Sequence, residues 1–284
     1  MSRIKFKHTS VLAKAQTMTK TLTGKHITRT KTKQFPTLAD QENSRYKLPP
    51  DYRMILEPPF SSIDKITPNL YLSGIGGLVR ENIHKNKITC IINVTYEAPH
   101  FQSETIDSFR VPIDDEANEN LFDYFDEIAD LIEKTAKQGG ITVIHCIAGV
   151  SRSASFVIAY LIKYKNMTLK EAYKHVKQIR PVSGPNEGFM NQLIQYEQKL
   201  KGKTTVKLIK INHNGVDMVV PDFMGNEIPN LMDQLQRAFT AEDETGRYSS
   251  EGYNTPSSTS ESRKSRKVLP TTARQLISGS NYQS

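Results

Sequence analysis

The chain has 284 residues, 37% of them apolar and none of them Trp, which suits one domain of ordinary size with flanking material, or two small ones. Two cysteines exclude a disulfide framework and point to a reducing compartment; no run approaches about 18 apolar residues, so no membrane span is expected. The net charge of +8 is local: residues 1–39 hold nine Lys/Arg and no Asp/Glu, which leaves −1 for the remainder and removes the compositional case for nucleic-acid binding by a folded domain.

Residues 1–58 are polar and basic. Threonine recurs with period two at Thr17, Thr19, Thr21 and Thr23, then at Thr28, Thr30 and Thr32. The residues between are mostly polar too, so no apolar face results and a disordered tail is expected in place of a strand. The same composition also fits a mitochondrial transit peptide, but the apolar half of an amphipathic helix is thin here. No secretory apolar segment is present.

Folded structure is expected from residue 59. ITPNLYLS (66–73) reads as a short strand pair and LVRENIHKN (78–86) as a short helix. ITCIINV (88–94) is nearly all apolar, as a strand buried on both faces should be. SFRVPI (108–113) is a further strand. An amphipathic helix follows over 119–138, with Leu121, Phe125, Ile128 and Ile132 on one stripe and Gly139-Gly140 ending it. ITVIH (141–145) is a second buried strand, and 153–164 a helix apolar nearly all round. Thr168 and Glu171 predict a capping box for a helix over 169–179. Pro181 and Pro185 break the chain, and Asn186 caps a helix running to about Leu200 with Phe189, Leu193 and Tyr196 inward. Alternating strands and helices give an α/β class with a mostly parallel sheet flanked by helices. Residues 204–220 predict a hairpin turning at Asn-Gly, part of a C-terminal extension over 203–238 with a short helix near 226–238. From Thr240 onward ten Ser and six Thr predict a disordered tail over 239–284.

The chemistry concentrates in VIHCIAGVSRSAS (143–155), where a buried strand turns into a buried helix. A loop there aims successive backbone N–H groups inward at a helix N-terminus, which makes an anion cradle from Ile147, Ala148, Gly149, Val150 and Ser151. Gly149 permits close backbone approach. Arg152 offers a planar fork to two oxygens of a tetrahedral oxyanion. Cations and helix N-termini favour thiolate over thiol, so Cys146 is expected as a thiolate nucleophile beneath a bound phosphate. His145 is expected to orient the loop, and Ser153 to donate to the sulfur as it leaves an intermediate. Cys90 reads as core filler in its strand.

His145-Cys146-x5-Arg152-Ser153 resembles the signature of the cysteine-dependent protein tyrosine phosphatase superfamily, and AGVSRS that of its dual-specificity branch. INVT (92–95), VPIDD (111–115), RPVSGPNEGFMNQL (180–193) and YEQKL (196–200) are similar to family segments in the family's order. The resemblance covers about 60–200. It implies a protein tyrosine phosphatase-like fold, with a catalytic domain over 59–202. It places the chain in a small atypical subgroup that lacks a rhodanese-like domain; the 204–220 hairpin resembles that subgroup's extension. It implies a general acid on the loop before the long helix, at Asp115, with Asp114 as the rival. It also implies supporting roles for Asn93 and Asn186, and a mechanism without metal or cofactor.

The implied activity is hydrolysis of phosphotyrosine and phosphoserine/phosphothreonine on proteins through a cysteinyl-phosphate. A loop without lysine disfavours a phosphoinositide phosphatase, and near-neutral charge disfavours an RNA 5′-phosphatase. A non-catalytic phosphoprotein scaffold is disfavoured because Cys146, Arg152 and an acid are all retained. The implied partners are phosphoproteins, with mitogen-activated protein kinases as the family expectation; Arg29 to Leu38 and Arg263 to Leu269 loosely suit kinase docking. Cytoplasmic or nuclear location is expected, the basic run 263–267 being a candidate nuclear address. Cys90 is expected to lie too far from Cys146 for a protecting disulfide.

Overall fold

The protein is described here by a computed structural model. It describes residues 58–225 apart from 102, 104 and 214, together with strands β1 (Thr17–Thr19) and β2 (Thr28–Thr30). The short helix expected near 226–238 and the tail 239–284 lie outside the described residues.

The core is a sheet of seven strands. Besides β1 and β2 it contains β3 (Ile63–Thr67), β4 (Leu70–Ser73), β5 (Cys90–Asn93), β6 (Asp107–Arg110) and β7 (Thr142–His145), in the order β1-β2-β6-β5-β7-β4-β3. The four central strands β6, β5, β7 and β4 are parallel, while β3 and the β2–β1 ribbon add antiparallel edges. β5 and β7 are buried throughout, as their largely apolar sequences predict.

Two expectations are corrected. The threonine-rich run was expected to hold no strand, yet Thr28–Thr30 pairs with β6 and Thr17–Thr19 pairs with Thr28–Thr30. The open edge of β6 offers backbone donors and acceptors, and β-branched threonine suits a strand; edge pairing needs no apolar face. The strand expected over 108–113 ends at Arg110: Val111 N gives the last bond to β5, at the Asn93 carbonyl, and Pro112 has no N–H to extend the ladder.

Among the described residues five α-helices flank the sheet: α1 (Arg80–Lys85), α2 (Phe122–Lys137), α3 (Arg152–Tyr164), α4 (Leu169–Ile179) and α5 (Glu187–Lys201). Strand alternation divides the core. Leu72, Ile92 and Ile144 face α2–α5, whereas Tyr71, Ile91 and Val143 face α1 with Ile83. α3 is central and buried from Arg152 to Ile162, which explains its lack of a polar face. The Thr168–Glu171 capping box is formed, and Asn186 caps α5 by accepting from Phe189 N at 2.9 Å.

The C-terminal hairpin, β8 (Leu208–His213) and β9 (Val216–Pro221), turns at Gly215 with φ 81° and forms its own two-stranded sheet. It buries Met218 and Val220 in the main core, and Phe223 stacks edge-on against Tyr173 at 5.4 Å. Among the described residues, no helix is long and apolar enough to cross a membrane.

Candidate active site

β7 delivers His145 to the C-terminal edge of the parallel strands, and α3 starts at Arg152. The six residues between must turn the chain while keeping every buried carbonyl paired. Each carbonyl finds its partner on the outer side of the turn. Cys146 O accepts from His145 Nδ1 (3.1 Å), Ile147 O from Ile75 N (2.8 Å) and Ala148 O from Arg180 Nη2 (2.8 Å). Gly149 O accepts from Arg180 Nε (2.8 Å), Val150 O from Gly184 N (2.9 Å) and Ser151 O from Ser155 N (3.0 Å). In a trans peptide the C=O and N–H point opposite ways, so carbonyls held outward turn the N–H groups inward. The concave side is therefore lined by donors.

Gly149 sits at φ 68°, and a Cβ there would come within 2.7 Å of Arg180 Nη2 and closer still to the backbone of Ser73 and Gly74. Both conformation and space demand glycine.

The buried Cys146 sulfur lies at the floor. It accepts from Gly149 N and from Ser153 Oγ, each at 3.2 Å. His145 touches the loop through the Cys146 carbonyl and not the thiol. Its Nδ1 therefore carries the proton, and burial followed by the charges of neighbouring His100, Arg152 and Arg110 pushes its pKa down to about 4. It is neutral at physiological pH.

Arg152 shows which of its edges is open. Of five N–H donors, Nη1 gives one to Glu97 Oε2 (2.9 Å) and one to Ile113 O (2.9 Å), and Nη2 gives one to Glu97 Oε1 (2.7 Å). The Nε–H and the second Nη2–H remain, on one side of the guanidinium. Nε makes no hydrogen bond among the described residues, although Asp115 Oδ2 stands 3.5 Å away. Two parallel N–H groups on one edge fit two oxygens of a tetrahedral anion. Burial alone would raise the Glu97 pKa, but the hydrogen bond and charge of Arg152 outweigh it and hold the carboxyl below its ordinary value.

Of the two adjacent aspartates, Asp114 is exposed, whereas Asp115 turns inward to Arg152 and accepts from Asn186 Nδ2 at 3.1 Å. Asn186 also bonds the phosphate loop, its N–H donating to Ser151 Oγ at 3.1 Å. Asn93 departs from expectation. Its side chain accepts from Thr95 N and Oγ1 and donates to Pro99 O (3.2 Å), so it shapes the 94–99 turn that carries Glu97, not the phosphate loop. A short asparagine side chain bonds most readily to backbone two residues on.

Residues 70–199 match the family described as "Dual specificity phosphatase, catalytic domain". Human "Dual specificity protein phosphatase 14" is 43% identical over 183 residues, which span 63% of this chain and 89% of that protein. The chain belongs to the dual specificity phosphatases. Human "Dual specificity protein phosphatase 18" is 40% identical over 173 residues, or 61% of this chain and 90% of that one. The crystal structure of human DUSP28 has 30% identity and a TM-score of 0.48, covering 51% of this chain and 97% of that chain.

Two residues of this dual specificity phosphatase escaped the sequence reading. Glu97 carries no periodic or spacing signal. Arg180 lies inside RPVSGPNEGFMNQL, but nothing there announces a 1% exposed arginine that grips two phosphate-loop carbonyls and pairs with Asp64 at 2.5 Å. A buried arginine needs an acid and several acceptors, and these come from residues 60–64, far away in sequence.

Proposed function

We propose that this protein phosphatase acts through Cys146 as nucleophile, Arg152 and the 147–151 amides as phosphate clamp, and Asp115 as general acid and base. The dual specificity phosphatases act on phosphotyrosine and phosphoserine/phosphothreonine in proteins, and this chain shares their catalytic domain. Substrate phosphate oxygens take the inward N–H groups and the open edge of Arg152. The Cys146 thiolate attacks phosphorus in line, the P–O ester bond breaks, and protonated Asp115 gives its proton to the leaving oxygen. In the second half Asp115 removes a proton from water, the water oxygen attacks phosphorus, and the P–S bond breaks. Sulfur departs as thiolate, receiving the Ser153 O–H and Gly149 N–H bonds.

The observation that carries this reading is the pair of 3.2 Å donors on the Cys146 sulfur beneath a loop whose carbonyls all face outward. Asp115→Ala should slow turnover of phosphoserine and simple aryl phosphates far more than that of para-nitrophenyl phosphate. If Asp114→Ala does so and Asp115→Ala does not, the acid is Asp114.

Mitogen-activated protein kinases are the proposed substrates, supported by the family expectation and the basic-then-apolar stretches Arg29 to Leu38 and Arg263 to Leu269. Capture of a phosphorylated kinase by the Cys146→Ser chain, reversed by vanadate, is expected; recovery of unrelated phosphoproteins alone overturns the assignment. Cytoplasmic or nuclear location is proposed from the two free cysteines and the basic run 263–267. Imaging of a tagged chain tests it, and a mitochondrial signal contradicts it.

A further inference from the structure

The loop carrying Asp115 is held from one side, along its whole length, by the start of α5. Asn186 Nδ2 donates to Asp115 Oδ1 at 3.1 Å. Gly188 abuts Ala117 so tightly that a Cβ on it would overlap the Ala117 carbonyl group, with the Ala117 Cα at 2.7 Å. Gln192 reaches both sides of the loop's exit: its Nε2 donates to Glu119 O at 2.7 Å, and its Oε1 accepts from Leu121 N and Phe122 N at 2.8 Å each. Those two amides are the first donors of α2, and Leu121 supplies no side-chain cap of its own. α2 is therefore capped from two sides: Asn120 Oδ1 accepts from Asp123 N at 3.2 Å, while the two amides before it are taken by Gln192 of α5.

The same segment also grips the nucleophile loop. Arg180 holds the Ala148 and Gly149 carbonyls, Gly184 N holds Val150 O, and Asn186 N holds Ser151 Oγ. One stretch of chain, 180–192, thus bonds to both halves of the site. α5 is itself anchored by buried Phe189, Leu193 and Tyr196, so its N-terminus is a fixed reference. The loop it holds is acidic, with Asp114, Asp115, Glu116 and Glu119, and the positive end of a helix dipole favours negative charge there.

We propose that Gly188 and Gln192 are positioning residues for the general acid: they set the height of the Asp115 loop above the Cys146 sulfur. This rests on Asp115 being the acid. Gly188 is needed because the contact is with backbone. Any side chain there must displace Ala117, and with it Asp115 two residues before, from its present place. Gln192 is needed because it ties the loop's exit, Glu119 O, Leu121 N and Phe122 N, to α5, which the local Asn120 cap on Asp123 N cannot do.

The test is the dependence of kcat on leaving-group pKa across a series of aryl phosphates, for the full chain and for Gly188→Ala, Gln192→Leu, Gln192→Glu and Asp115→Ala. General acids contribute about 10²–10⁴-fold. Gly188→Ala and Gln192→Leu should each lose about tenfold or more of that on poor leaving groups, and little on para-nitrophenyl phosphate. KM and vanadate inhibition should stay near those of the parent chain. Gln192→Glu keeps the acceptor for Leu121 and Phe122 and should recover most of the rate lost in Gln192→Leu. A general loss of packing would lower every substrate alike and leave the slope unchanged. If Asp115→Ala steepens the leaving-group dependence and neither Gly188→Ala nor Gln192→Leu does, the positioning role is wrong. If Asp115→Ala itself leaves the slope unchanged, the acid assignment is what fails.

Discussion

Glu97 and Arg152 form a two-point ion pair, Oε1 to Nη2 at 2.7 Å and Oε2 to Nη1 at 2.9 Å. The pair fixes which edge of the guanidinium faces the anion cradle, since it occupies the end and leaves the Nε side open. Lysine at 152 has no second parallel donor and cannot serve Glu97 and phosphate together. Arg152→Lys should therefore lower kcat/KM by about 10²–10³-fold, the usual loss for one oxyanion donor. Glu97→Ala should mainly weaken vanadate inhibition and raise KM, with a smaller loss in kcat. Steady-state kinetics on both variants check this; unchanged values for Arg152→Lys contradict it.

Ser153 donates to the Cys146 sulfur at 3.2 Å, a bond that strengthens when sulfur becomes the leaving group. Ser153→Ala should slow breakdown of the intermediate more than its formation. A burst of para-nitrophenol approaching one per enzyme should then appear in stopped-flow records. A variant with parental kcat and no burst removes Ser153 from this role.

His145 makes folding sensitive to mild acid. Burial and neighbouring charges push its pKa down to about 4, against an ordinary value near 6.5. Between these values the unfolded chain binds a proton that the folded chain does not, so stability is complete above about pH 6.5 and falls as pH falls. The steepest loss is roughly 1.4 kcal/mol per pH unit. His100, held down to about 4 by burial and then by Arg110, acts in the same direction. Urea denaturation between pH 7 and 5 should show falling stability in the parent chain and a shallower slope in His145→Gln. Equal slopes contradict the assignment.

Arg180 is the support beneath the phosphate loop. It is 1% exposed and also donates to Ser62 Oγ (2.7 Å) and Phe60 O (3.2 Å), with Asp64 as its counter-charge. Removing one partner of a buried pair costs about 3–5 kcal/mol. Arg180→Met should therefore lower Tm by roughly 10 °C, and it frees the Ala148 and Gly149 carbonyls. Vanadate affinity should fall as well, measured below the new Tm. A variant with parental Tm and vanadate affinity contradicts this role.

The sequence made local features legible and distant ones much less so. The Thr168–Glu171 box, the Asn186 cap, the α2 stripe and the strand–loop–helix around Cys146 each depend on residues a few positions apart, where period and capping chemistry decide. The inward turn of Asp115 was favoured only by resemblance. Glu97, Arg180 and Gln192 act across 55, 31 and 71 residues respectively, at Arg152, Gly149 and Leu121. No local pattern marks such pairs, because the sheet and α5 bring them together. The supporting role of Asn93 came only from the resemblance, while its short side chain is satisfied within its own turn. The threonine ribbon was missed for a related reason: an edge strand is recruited by the edge it meets, not by an apolar face of its own.

The central claim is that Cys146 becomes phosphorylated during turnover. Rapid acid quench of the Asp115→Ala chain with para-nitrophenyl phosphate, followed by peptide mass spectrometry under conditions that spare thiophosphate, tests it directly. A phosphoryl group on the peptide containing Cys146, absent from a Cys146→Ser control that has also lost turnover, is the predicted result. Turnover persisting in Cys146→Ser, or a phosphoryl group found on another residue, would contradict the mechanism.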